Sequence, residues 1–125
     1  MSTKSDLDKI IEIARSGSAD AQFFLGKYYS DERYRDDVEA FKWLLLAANQ
    51  GHGEAQMFVG YSYEIGEGIP KNIKLAVKYY SKAYFNGHEV AKTASLKYLK
   101  DEVLSNQDLL DSNSDWIKFI SSDYR

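Results

Sequence analysis

The chain repeats itself. Gly17-Ser-Ala-Asp-Ala21-Gln22-Phe-Phe-Leu25-Gly26 is answered 34 positions later by Gly51-His-Gly-Glu-Ala55-Gln56-Met-Phe-Val59-Gly60. A weaker echo, Gly87-His-Glu-Val-Ala91-Lys92, follows after a further 36 positions. A period near 35 residues is that of stacked helical hairpins, in which each unit buries its apolar face against its neighbours.

The agreement continues between these motifs. Ala40-Phe-Lys-Trp43-Leu-Leu-Leu-Ala47-Ala48-Asn-Gln-Gly51 aligns with Ala76-Val-Lys-Tyr79-Tyr-Ser-Lys-Ala83-Tyr84-Phe-Asn-Gly87. Apolar residues recur at three- and four-residue steps, which predicts two helices per unit. The first helices are expected at 18–30 and 53–65, the second at 36–49 and 72–85. A glycine inside a helix costs about 1 kcal/mol relative to alanine. Its recurrence at Gly26 and Gly60 therefore marks places where a neighbouring helix leaves no room for a side chain. Gly51 and Gly87 are expected to end the second helices in the left-handed conformation. The turn at 65–72 carries Gly66, Gly68 and Pro70, whereas its counterpart at 31–36 is two residues shorter and has no glycine.

This pattern resembles the Sel-one-like repeat, a relative of the tetratricopeptide repeat. In the second unit the resemblance is carried by Ala55, Gln56, Val59, Gly60, Tyr63, Gly66, Gly68, Ile69, Ala76, Tyr79, Tyr80, Ala83 and Gly87. It implies an all-α, right-handed α-α superhelix. The expected organisation is a single domain: an N-terminal capping helix in 1–16, repeats at 17–50 and 51–86, a degenerate half-repeat at 87–104 and a C-terminal cap at 105–125. Leu7 to Ala14 reads as an isolated second helix, because Ala14 precedes Gly17 as Ala48 precedes Gly51. Trp116, Phe119 and Ile120 are spaced to lay one apolar edge of the cap on the last repeat.

Composition narrows the function classes. With 44% hydrophobic residues and one proline, the 125 residues are globular in type. The chain has no cysteine, which removes disulfides and thiolate ligands and favours a reducing compartment. No apolar run of signal-peptide or membrane-span length occurs, so a cytoplasmic setting and no membrane partner are expected. The net charge is −3, with acidic residues concentrated in the last 25 positions and no strongly basic stripe. Nucleic acid is therefore not an expected partner.

His52 and His88 occupy equivalent positions of successive units, about a helix-packing distance of ~10 Å apart, too far to share one ion. They read as structural or surface residues. Gly66-Glu-Gly68 has neither the preceding strand nor the following Lys-Ser/Thr pair of a phosphate-binding loop. Asp36, Asp37 and Glu39 suit a helix start. With no activated nucleophile in sequence, the expectation is a protein without catalytic residues, metal or cofactor.

Binding remains. In each first helix, the stripe opposite the core is expected to hold Asp20, Phe23, Lys27 and Ser30, then Glu54, Met57, Tyr61 and Glu64, then Lys97 in the degenerate unit. In tetratricopeptide arrays this stripe lines the concave groove, so the resemblance implies a partner-binding surface with Phe23, Met57 and Tyr61 as its apolar floor. Internal packing is the competing role for those side chains. The expected partner is another protein or a peptide, held in this groove or against the acidic cap. A short chain capped at both ends suits a dedicated inhibitor, such as the immunity protein of a basic toxin; the alternative is a small adaptor. The many tyrosines would equally support a homodimer.

Overall fold

Residues 5–88 are described by the computed structural model, which contains five α-helices and one 3₁₀ turn in this span. They are α1 (Asp6–Arg15), α2 (Ala19–Ser30), the 3₁₀ turn (Glu32–Tyr34), α3 (Asp37–Asn49), α4 (Gly53–Ile65) and α5 (Ile73–Phe85). Each helix packs on the next in chain order, as a solenoid requires. The four repeat helices fall within one or two residues of the ranges expected from periodicity. The half-repeat beyond His88, Lys97 and the C-terminal cap lie outside the described residues.

Polar caps set the boundaries. The side chains of Ser5, Ser18, Asp36 and Asn72 accept the backbone N–H three residues ahead at the starts of α1, α2, α3 and α5. Gly17, Gly51 and Gly87 close α1, α3 and α5 with φ of 112°, 93° and 97°. At each corner the next residue's N–H reaches back five positions: Ser18 to the Ile13 carbonyl, His52 to Ala47 and His88 to Ala83. This Schellman geometry uses carbonyls that the helix itself leaves without partners.

The small residues stand where helices press together. A side chain at Gly26 would collide with Leu44 of α3, and one at Gly60 would meet the Tyr80 ring of α5 at 2.9 Å. Leu25, Val59 and Val77 are fully enclosed. Around the seam between repeats, Phe41, Leu44, Ala47, Ala48, Ala55, Val59 and Tyr79 form one cluster, with Phe23, Tyr63 and Ile69 packed against it.

Two buried glutamines tie the stack. Gln22 Nε2 donates to the Ala14 carbonyl at 3.0 Å, and Gln56 Nε2 donates to the Ala48 carbonyl at 3.2 Å. Their own carbonyl oxygens accept from Gln50 at 2.8 Å and Asn86 at 2.7 Å. Because Ala14 and Ala48 play the same part, α1 occupies the place of a second helix, as its sequence implied.

The inter-helix turns differ in length but close identically. Asp36 N–H donates to the Tyr29 carbonyl and Asn72 N–H to the Tyr63 carbonyl, both at 2.8 Å. In the longer turn Gly68, at φ 77°, lies so close to the Asp37 carbonyl that no Cβ fits. Glu67 beside it pairs with Arg35 at 3.1 Å.

Two expected outcomes follow for stability. Gln56→Leu leaves the Asn86 amide and Ala48 carbonyl without this partner, and should cost roughly 1–3 kcal/mol in urea unfolding. Exposed Lys78→Gln should stay within about 0.5 kcal/mol. The Tyr80 hydroxyl donates to Glu64 Oε1 at 2.6 Å, and burial first, then that carboxylate, push its pKa well above the usual phenol range. Its contribution is complete below about pH 10, where the unfolded phenol is still protonated, and is lost as pH rises further. Tyr80→Phe should be less stable at neutral pH. The gap should narrow above pH 10 by up to about 1.4 kcal/mol per pH unit, measured by denaturant unfolding across that window.

Candidate functional site

The 3₁₀ turn of the first unit forms one side of a groove. Asp31 caps it: Oδ1 accepts the Arg33 N–H at 2.9 Å, and both carboxylate oxygens accept from the Arg33 guanidinium at 3.1 and 3.2 Å. This pairing, chiefly the side-chain hydrogen bonds, holds Asp31 below the usual carboxylate range. The turn folds Tyr34 back along α2, where its ring stacks on Tyr28 with centroids 4.4 Å apart and planes within 9°.

The opposite wall is the corner between α3 and α4. His52 is the N-cap of α4, its Nδ1 accepting the Ala55 N–H at 3.1 Å. That bond requires an unprotonated Nδ1, so the neutral ring carries its proton on Nε2, which faces Asp20 Oδ1 at 3.3 Å. The imidazole also lies on Phe23, with ring centroids 4.5 Å apart. Phe23 in turn approaches Phe58 at 5.6 Å and carries the Lys27 ammonium 5.5 Å above its ring.

The result is a groove of about 560 Å³ lined by Asp20, Phe23, Phe24, Lys27, Tyr28, Asp31, Arg33, Tyr34, His52 and Glu54. Its volume lies in the range of small-ligand and peptide sites, ~300–1,000 Å³. Phe24 is 49% exposed and Tyr34 46%, so aromatic surface stands open to solvent here.

Of the residues singled out from sequence, Asp20, Phe23, Lys27 and Glu54 line this groove. Met57, Tyr61 and Glu64 lie elsewhere on α4; Met57 and Glu64 are half-buried, and Glu64 accepts the Tyr80 hydroxyl. Lys97 is outside the described residues. The exposed stripe is turned by about one residue from the expected one. Phe24, Phe58 and Ile65 face solvent, while Phe23, Met57 and Glu64 beside them turn toward the body of the repeat. Of the expected stripe on α2 and α4, Asp20, Lys27, Glu54 and Tyr61 are exposed. The sequence signal for the turned stripe was phenylalanine recurring at positions 24 and 58. Tyr28, Tyr34 and His52 were not anticipated as groove residues. Among the described residues no three His, Asp or Glu side chains converge as metal ligands.

With this geometry in view, the comparisons with known proteins fall into place. The Sel1 repeat matches residues 19–52 and 53–88. The chain therefore belongs to the Sel1 repeat family, as an all-α solenoid interaction module. It is 37% identical over 81 residues to DAP3-binding cell death enhancer 1 of Rattus norvegicus, spanning 65% of this chain and 16% of that protein. It is 48% identical over 52 residues to chitin synthase regulator SKT5 of Saccharomyces cerevisiae, spanning 42% of this chain and 8% of that one. The chain thus corresponds to a small part of each relative's length. Among solved structures, a Sel1 repeat protein from Oxalobacter formigenes superposes with TM-score 0.69 at 35% identity, over 76% of this chain and 40% of that one. A protective antigen of uropathogenic Escherichia coli with an SLR fold also gives 0.69 at 28% identity, over 98% and 26%.

The cap makes His52 separable from its place in the groove. His52→Ala should cost about 0.5–2 kcal/mol in thermal or urea unfolding, whereas His52→Asn, which preserves an N-cap acceptor, should recover most of that loss.

Proposed function

We propose that this protein is a small adaptor that holds a segment of one protein partner in the aromatic groove of its first repeat. One observation carries the reading: four aromatic side chains, two of them about half exposed, line a groove whose walls come from both repeats. Aromatic anchors framed by charged residues are the composition of protein-binding surfaces. The names of the relatives point the same way, since one is DAP3-binding, one a chitin synthase regulator and a third, from Arabidopsis thaliana, a ubiquitin-protein ligase component. The cysteine-free composition suits a reducing compartment such as the cytoplasm.

A second reading, a dedicated inhibitor such as an immunity protein against a bacterial toxin, is favoured by a different observation. Exposed apolar side chains continue from the groove along α4 through Phe58, Tyr61 and Ile65, more surface than a short segment needs. An inhibitor would spread its binding energy over that whole strip.

Alanine variants separate the two. For an adaptor, Phe24→Ala and Tyr34→Ala should each weaken the captured partner by about tenfold or more in calorimetric titration, while Tyr61→Ala and Ile65→Ala leave it within about twofold. Comparable losses at all four positions would instead support the inhibitor. Unchanged binding in all four variants would move the interface off this face.

A further inference from the structure

Charge is divided unevenly along the groove. Asp20 and Glu54 are each the second residue of their helices, and both line it. The Asp20 side chain is 96% exposed and faces the His52 Nε2. Neither carboxylate is taken up in capping, because Ser18 and His52 supply the N-cap acceptors of α2 and α4. Neither pairs with a lysine or arginine among the described residues. The third acid of the groove, Asp31, is already engaged by Nε and Nη2 of the Arg33 guanidinium. Two carboxylates without a lysine or arginine partner therefore line the groove together with the Phe23 and His52 rings, and the exposed Phe24 and Tyr34 rings share the same groove.

We infer that the groove selects a peptide segment in which an arginine or lysine lies close to an aromatic or large aliphatic residue. The inference rests on the groove reading above and specifies its partner. The cation pairs with Asp20 or Glu54, and the apolar side chain lies against Phe24 and Tyr34. Arginine fits better than lysine, since a planar guanidinium can stack on a ring while donating to carboxylates on its edge. Acidic segments are disfavoured, because they bring like charge to Asp20 and Glu54, which outnumber Lys27, the one groove cation without a carboxylate partner among the described residues.

The test is a chemical-shift titration of the ¹⁵N-labelled full chain near neutral pH and low salt. The probes are three peptides, Gly-Ser-Xaa-Ser-Phe-Ser-Gly, with arginine, glutamine or glutamate at Xaa. The arginine peptide should bind about fivefold tighter than the glutamine one, with glutamate weakest and shifts centred on Phe24 and Tyr34. Asp20→Asn/Glu54→Gln should erase that spread, and Glu54→Lys should invert it. Circular dichroism checks that each variant is folded. If all three peptides bind the groove equally, the charge selection is overturned and the groove reading stands. If none shifts the groove amides at millimolar concentration, both are overturned.

Discussion

The side-chain amide of Gln56 is held between two helical hairpins. It gives a hydrogen bond to the last turn of α3 and takes one from Asn86 at the end of α5, and it is almost wholly enclosed. Gln22 repeats the arrangement between α1 and the end of α3. Inside a protein such a group is costly to leave unpaired, so a slip of one unit against the next would break several bonds together. The packing of Leu25, Val59 and the paired glycines supplies attraction without direction. The glutamines supply the register.

Register matters because the groove spans it. One wall belongs to α2 and its turn, the other to the corner that starts α4. That corner is economical: the His52 backbone N–H closes α3 while its side chain opens α4, and its ring then covers Phe23. Gly51 makes this possible by taking the left-handed conformation between the two helices. His88 stands one unit on and lies against Gly53, so the corner repeats. The aromatic wall does not, because the second unit's longer turn carries Gly68 and Ile69 inward against α3 and the core instead of an aromatic ring back along the first helix.

Much of this was legible in the sequence because periodicity reports on burial. The 34-residue echo, the apolar spacing and the glycines at 26 and 60 identified two helical hairpins and the places where they touch. The site was legible only in part. Asp20, Lys27 and Glu54 could be placed on an exposed stripe because helical spacing fixes which residues share a face. Phe23 and Phe24 are adjacent, however, and spacing put Phe23 on that stripe and left Phe24 off it. Which ring turns inward depends on the crossing of α2 with its neighbours.

The sequence by itself determined the class of protein, the helix limits and the close contacts, since these follow from local propensity and from a pattern repeated within the chain. Tertiary structure alone decided that a short, glycine-free turn would stack Tyr34 on Tyr28, that His52 would cap one helix while covering the side chain of another, and that Tyr61 would lie outside the groove. Each of those facts depends on the angle and offset between elements. Such quantities are set by packing across units and leave no period in the chain.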